Sequence, residues 1–317
     1  MTATRTLRIG TRASALARTQ TDLIAHELGA PVDIVPITTE GDRSSAALAQ
    51  IGGTGVFVSA LREALLAGDI DVAVHSYKDL PTAPADGIVI AAVPAREDPR
   101  DVLVARDGLT LGELPAGARV GTGSPRRAAQ LRALGLGLEV VAIRGNVDTR
   151  LGKVAAGEVD AVVLAYAGLR RLGRGFEATE VLDPIQVLPA PAQGALAVEC
   201  RTSDDEARAL LAGLDDADTR SAVAAERALL AALEAGCSAP VGALAEIAEG
   251  ETGTEVFLRG SVTAVDGSDA VRLSATGPTA HAADVGRRLA TDLLADGADQ
   301  LMGAATFAGG PDGESST

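Results

Sequence analysis

Residues 73–81 read AVHSYKDLP. A run of apolar residues, Val72 to Val74, gives way to His75, Ser76, Tyr77, Lys78 and Asp79, and Pro81 ends it. Lysine is rare in this chain: of 28 Lys and Arg residues, only Lys78 and Lys153 are Lys. A carboxylate fixed at the end of a buried strand can stabilise a developing cation and move protons. In extended backbone Lys78 points away from Asp79, so the two charges need not neutralise each other. The bland alternative is a surface pair worth about 0–1 kcal/mol.

Arginine marks three further stretches. RIGTRAS places Arg12 and Ser14 just after a strand. GTGSPRRAAQ places Ser124, Arg126 and Arg127 at a helix N-terminus, where free N–H groups favour anions. IRGNVDTR places Arg144 at a strand end and Arg150 within the next helix. Guanidinium pairs bidentately with carboxylate or phosphate, so these stretches suit a polyanionic ligand; solvated helix faces are the competing reading. Cys200, in ALAVEC, fits a small buried hydrophobe. Cys237, in EAGCSAPVG, sits in a turn marked by Gly236 and Pro240, where a thiol is reachable as an attachment point or nucleophile. No metal site is expected, because His26, His75 and His281 have no close ligand partner.

The elements that must position these groups alternate. LRIGT (7–11), VDIVPIT (32–38) and IDVAVHS (70–76) read as strands, with helices over Ala13–Leu28 and Phe57–Ala67. Residues 39–56 read as a long Gly-rich loop. Strands at 87–95 and 101–105 flank a hinge at REDPR. A second unit follows: a strand at ARVGTGS, a helix from Ser124-Pro125 to Gly135, a strand at 139–145, a helix capped by Asn146, and a strand at 159–168. In such open sheets ligands bind beyond the carboxyl ends of the strands, where the polar stretches fall. After LPAPAQGALAVECR come helices at Asp204–Leu214 and Asp218–Ala235, a hairpin over 254–277 about Asp266-Gly267, a helix at Ala280–Ala295 and a disordered tail.

Composition narrows the partners. A chain of 317 residues suggests two or three domains. The net charge of −15 and an aromatic content of 2%, with no Trp, argue against nucleic acid. Yet residues 119–174 hold ten basic against four acidic side chains, a basic zone inside an acidic protein. No signal peptide or membrane span is read, and two cysteines make no disulfide framework, so the cytoplasm is the expected compartment.

With these residues in hand the chain resembles the porphobilinogen deaminase, or hydroxymethylbilane synthase, family over about residues 6–300. The matching stretches are RIGTRASALARTQ, GGTGVFV, DVAVHSYKDLPT, GTGSPRRAAQL, IRGNVDTRL, LAYAGLRRLG, PAQGALAVECR and GCSAPVG. The resemblance implies an α/β fold: two type II solute-binding-like, doubly wound domains with mixed sheets, plus a small α+β C-terminal domain. The expected boundaries are 1–97 with 195–213, 98–190 and 217–302, with 303–317 as the tail. It implies a transferase of porphyrin biosynthesis acting on porphobilinogen; a monomer away from membranes is expected. Four porphobilinogen molecules are joined head to tail on a covalently bound dipyrromethane, ammonia leaves at each step, and the linear tetrapyrrole is released by hydrolysis.

Residue by residue, the resemblance makes Asp79 catalytic and attaches the dipyrromethane to the sulfur of Cys237. Lys78, Ser124, Arg126, Arg127 and Arg144 fall on cofactor-binding positions. Arg12, Ser14, Arg150, Arg171, Gln193 and Phe57 fall on positions facing substrate or the growing chain. The many carboxylates of a pyrrole chain agree independently with the basic zone. Two positions depart from the family: Thr54 stands where many members have Lys, and Pro125 where Leu is common. A ligand-binding module of the same two-lobed architecture and a cysteine hydrolase are the competing readings. The binding module gives Cys237 and the Asp79 strand end no purpose, and for the hydrolase no His can be paired with Cys237.

Overall fold

The computed structural model describes residues 5–37, 55–235, 239–250 and 253–302, with residues 55–57 by backbone only. The described residues form three sheets. The first has strand order β2-β1-β3-β10-β4, from β1 (Leu7–Thr11), β2 (Val32–Pro36), β3 (Val72–Ser76), β4 (Ile88–Ala92) and β10 (Leu196–Arg201). β1 runs parallel to β2 and β3, while β10 lies antiparallel between β3 and β4, pairing Ala197 with His75. The second sheet repeats this plan in the order β7-β6-β8-β5-β9. Its strands are β5 (Asp101–Ala105), β6 (Arg119–Thr122), β7 (Glu139–Ala142), β8 (Ala161–Ala165) and β9 (Glu180–Val181), with β5 the antiparallel one.

Local chemistry explains the helices flanking these sheets. Ser14 caps α1 (Ala15–Leu28) by accepting from Ala17 N at 3.3 Å, and Gly29 closes it at φ 61°. Ser124 caps α3 (Pro125–Ala133), with Pro at the first position. Asn146 caps α4 (Val147–Ala155), its side chain accepting from Thr149 N at 2.9 Å. α2 (Gly55–Ala67) packs its Leu61 and Leu65 against Ile70 and Ala73 in the first core.

β5 and β10 each leave one unit to complete the sheet of the other. The two connections therefore run side by side, and they are pinned together. Gln193 Nε2 donates to the Pro99 carbonyl at 2.8 Å, and Glu97 N donates to the Gly194 carbonyl at 3.3 Å. Gly194 has φ +89°, and a Cβ there would sit 2.3 Å from the Glu97 oxygen, so only glycine permits this approach.

The third sheet is an antiparallel meander of β11 (Val241–Gly250), β12 (Gly253–Thr263) and β13 (Ala270–Pro278). α7 (Ala217–Ala232) and α8 (Ala282–Ala295) cover it, Leu229, Leu289 and Leu293 packing in one core with Leu258 of β12, all fully buried. The expected α/β plan with mixed sheets and a small α+β unit is the one observed. Three local readings need correction. The strand expected over 159–168 ends at Ala165, and Tyr166–Arg171 is a helix, α5. The helix expected over Asp204–Leu214 is α6 (Asp205–Leu211) followed by a 3-10 turn. The third sheet has a strand, β11, beyond the expected hairpin. Of the expected loop 39–56, Gly55 and Val56 already belong to α2, while its residues up to Thr54 and the tail 303–317 lie outside the described residues. Among the described residues no helix is long and apolar enough to cross a membrane.

Candidate active site

β3 ends at Ser76, and the next three residues, Tyr77–Asp79, form a single 3-10 turn. The extended arrangement of Lys78 and Asp79 expected from the sequence is therefore wrong. Tyr77 N donates to the Ala195 carbonyl at 3.0 Å and Leu80 N donates back to Tyr77 at 3.1 Å, which curls the chain. Leu80 then turns extended, at ψ 136°, as a residue before proline must. Both charged side chains leave one turn, close enough to influence each other electrostatically.

Lys78 Nζ donates to Gln193 Oε1 at 3.1 Å. Gln193 is wholly buried; its Nε2 donates to Asp101 Oδ1 at 2.7 Å, and its Oε1 also accepts from Arg127 at 3.3 Å. Asp101 opens β5 and is wholly buried. It accepts from Arg127 at 2.7 Å on one oxygen and from Arg126 at 2.8 Å on the other. Each arginine spends a second nitrogen on a backbone carbonyl, Arg126 on Leu188 at 2.5 Å and Arg127 on Val163 at 3.1 Å. The Nε atoms of both are buried with no hydrogen-bond partner among the described residues.

Electrostatics follow from this crowding. Burial would raise the Asp101 carboxyl, but the two guanidiniums overcome it and hold the group well below the usual carboxylate range. Burial pulls Lys78 down to about 8, the charge of Arg127 pulls the same way, and Asp79 and Asp101 oppose them. Arg126 and Arg127 face the buried Asp101, and Lys78 feels both Asp101 and the half-buried Asp79, so three cations meet two carboxylates and leave positive charge for an anionic ligand.

The other expected residues distribute as follows. Arg12 is half-buried at the carboxyl end of β1. Arg150, on α4, donates from Nε to the Gly145 carbonyl at 2.9 Å and lies beside Gly123, and burial followed by the charge of Arg127 lowers its pKa. Arg171, on α5, donates to the Gly194 carbonyl at 2.7 Å, beside Gln193. Ser14 and Ser124 spend their hydroxyls as helix caps. Arg144 is exposed, with no side-chain hydrogen bond or ion pair among the described residues. Cys237 lies outside the described residues, as does the Phe57 side chain; Cys200 is buried, and burial pushes its thiol up to about 11.

Sequence reasoning overlooked three of the supports. Asp101 carries a signal, a charge opening the wholly apolar strand run VLVA. Arg96 and Glu226 form a two-bond ion pair at 2.7 and 3.0 Å, and Arg96 also donates to the Gln193 carbonyl at 2.8 Å. Glu226, wholly buried on α7, accepts from Ala192 N at 2.5 Å and Ala245 N at 2.8 Å, so it ties the third sheet to the crossover that carries Gln193. Its signal was a Glu-Arg pair inside the apolar stretch AVAAERALLAA.

Comparison with known proteins bears on this arrangement. The family model described as "Porphobilinogen deaminase, dipyromethane cofactor binding domain" matches residues 7–209, and the C-terminal domain of the same enzyme matches residues 221–295. Porphobilinogen deaminase of Mycobacterium bovis (strain BCG / Pasteur 1173P2) is 60% identical over 304 residues, covering 93% of this chain and 98% of that protein. The Nocardia farcinica (strain IFM 10152) enzyme is 60% identical over 304 residues, covering 93% and 88%. Among solved structures, the methionine binding protein MetQ gives a TM-score of 0.42 at 12% identity, covering 66% of this chain and 89% of its own. Two adjoining domain models of one enzyme match this chain, and relatives named for that enzyme share three residues in five with it. The chain belongs to the porphobilinogen deaminase family.

Proposed function

We propose that the turn bearing Lys78 and Asp79 is where this porphobilinogen deaminase, a transferase, joins its substrate units. The observation that supports it is the surplus of positive charge: Arg126 and Arg127 bond directly to the buried carboxylate Asp101, and Lys78, next to Asp79, reaches it through Gln193. A dipyrromethane carries acetate and propionate side chains, and the residues fit it. The two buried Nε–H groups lack partners among the described residues, and the cations exceed the carboxylates. Lys78, Arg126 and Arg127, with Ser124 at the helix N-terminus and Arg144 at the rim, would hold those carboxylates. Attachment falls to Cys237. When bound, the dipyrromethane supplies the pyrrole end to which the first porphobilinogen is joined.

Asp79 acts on the incoming unit. Porphobilinogen that loses ammonia carries positive charge shared with its pyrrole nitrogen. The Asp79 carboxylate accepts that N–H, offsets the charge and moves the proton released on condensation. Arg12, Arg150 and Arg171, with Ser14, Gln193 and Phe57, orient the substrate and the growing chain. Four condensations and a hydrolysis then release the linear tetrapyrrole. This reading includes a monomer in the cytoplasm, with domains at 1–97 with 195–213, 98–190 and 217–302.

Intact mass tests the assignment. The purified protein carries an increment of two linked pyrroles; Cys237→Ser lacks it and is inactive, whereas Cys200→Ser keeps both. The increment surviving in Cys237→Ser, or missing from the parent, contradicts the reading.

A further inference from the structure

α7 touches the candidate site at a second point, one residue beyond Glu226. Arg227 donates from Nη1 to the Leu80 carbonyl at 3.0 Å and the Tyr77 carbonyl at 3.3 Å, and from Nη2 to the Pro81 carbonyl at 2.5 Å. Its guanidinium also lies over the Tyr77 ring, 4.6 Å from the centroid. These three carbonyls bracket Asp79, two from the 3-10 turn and its cap and one from the proline after it. A lone 3-10 turn holds itself with a single hydrogen bond, here Leu80 N to Tyr77 O, and is soft on its own. A planar fork bound to three carbonyls and stacked on a ring removes that freedom.

We infer that Arg227 is a positioning residue: it fixes the Asp79 turn onto the helix that leads, five residues past its end at Ala232, to Cys237. The inference rests on the reading of Asp79 given above. Asp79 is thereby held against α7 as well as at the end of its own strand, so the carboxylate keeps its place as the chain lengthens. A displacement of about 1 Å at a reacting centre costs on the order of 100-fold in rate, the scale on which such a clamp acts.

The test uses holoenzyme whose pyrrole increment has been verified by intact mass. Arg227→Met keeps the apolar stem and removes every donor; Arg227→Lys keeps the charge and can reach one carbonyl. Arg227→Met should lower kcat for ammonia release about 10- to 100-fold with KM within about threefold, and Arg227→Lys should recover part of the loss. Amide hydrogen exchange across residues 77–80 should quicken in both, most in Arg227→Met. In an Asp79→Asn background, Arg227→Met should cost nothing further, because the group it positions is gone. Unchanged exchange with kcat within about twofold of the parent overturns the inference, as does a full additional loss in the Asp79→Asn background. Asp79→Asn keeping the parent rate overturns the reading of Asp79 instead, and exchange across 77–80 then decides whether Arg227 holds the turn.

Discussion

Lys78 Nζ meets Gln193 Oε1 at 3.1 Å across 115 residues of sequence, and this contact joins the end of β3 to the crossover feeding β10. Gln193 carries the link on to Asp101 and Arg127, so the turn beside Asp79 is anchored in both lobes at once. An ammonium in this position is costly, because burial and Arg127 both disfavour its charge.

That cost gives a pH signature. The folded-state pKa of Lys78 is about 8, against an ordinary 10.5. Between these values the unfolded chain binds more protons, so stability rises with pH there and the penalty is fully present below 8. In the cofactor-free Cys237→Ser protein, Lys78→Met should add about 3 kcal/mol at pH 7 and flatten the rise in stability between pH 8 and 10. Urea unfolding across that range measures it. Equal slopes in both proteins would show that Lys78 is not strained by its charge.

Asp101 is the opposite case. Removing its charge leaves two buried guanidiniums facing each other. Asp101→Asn should destabilise the fold by about 3–5 kcal/mol and impair loading of the dipyrromethane. The parent's contribution is present above the ordinary carboxylate range and is lost as pH falls towards the depressed folded value. Chemical denaturation at pH 7, with intact mass for loading, checks both parts; a change below about 1 kcal/mol would separate the arginines from Asp101.

Much of this architecture is readable in the sequence. The strand into Ser76, the Ser124-Pro125 helix start and the Asp266-Gly267 hairpin all carry local signals, namely apolar runs, caps and turn residues. β11 is not readable this way: VGALAEIAEG is Ala-rich with few β-branched residues, and it is a strand only because β12 pairs with it along its full length. Likewise YAGLRR follows an apolar strand without punctuation, and its helix is evident only in three dimensions. In the site, residue types were legible and pairings were not. Arg126 and Arg127 read as ligand contacts, yet they meet Asp101 about 25 residues away. The curl at Lys78 depends on Ala195, which no local pattern around Tyr77 reveals.

Gly194 tests the pinned crossovers. Alanine there would carry a Cβ 2.3 Å from the Glu97 carbonyl oxygen at φ +89°. Gly194→Ala should cost about 2–4 kcal/mol by forcing the two connections apart. Because Gln193 and the Arg171 contact sit on that segment, turnover should fall even where the protein remains folded. Thermal unfolding and ammonia release on one preparation measure both; loss of stability with wild-type turnover would detach the crossover from the site.

The central claim is that Asp79 acts on each incoming porphobilinogen. Its most direct test is steady-state ammonia release by Asp79→Ala protein shown by intact mass to carry its full pyrrole increment. The account predicts a folded protein slowed by about 10²–10⁴-fold, the span of a positioned acid–base group. Asp79→Glu should regain only a trace, since one methylene moves the carboxylate by about 1 Å. A loaded Asp79→Ala enzyme releasing ammonia at more than about 10% of the parent rate would contradict the account.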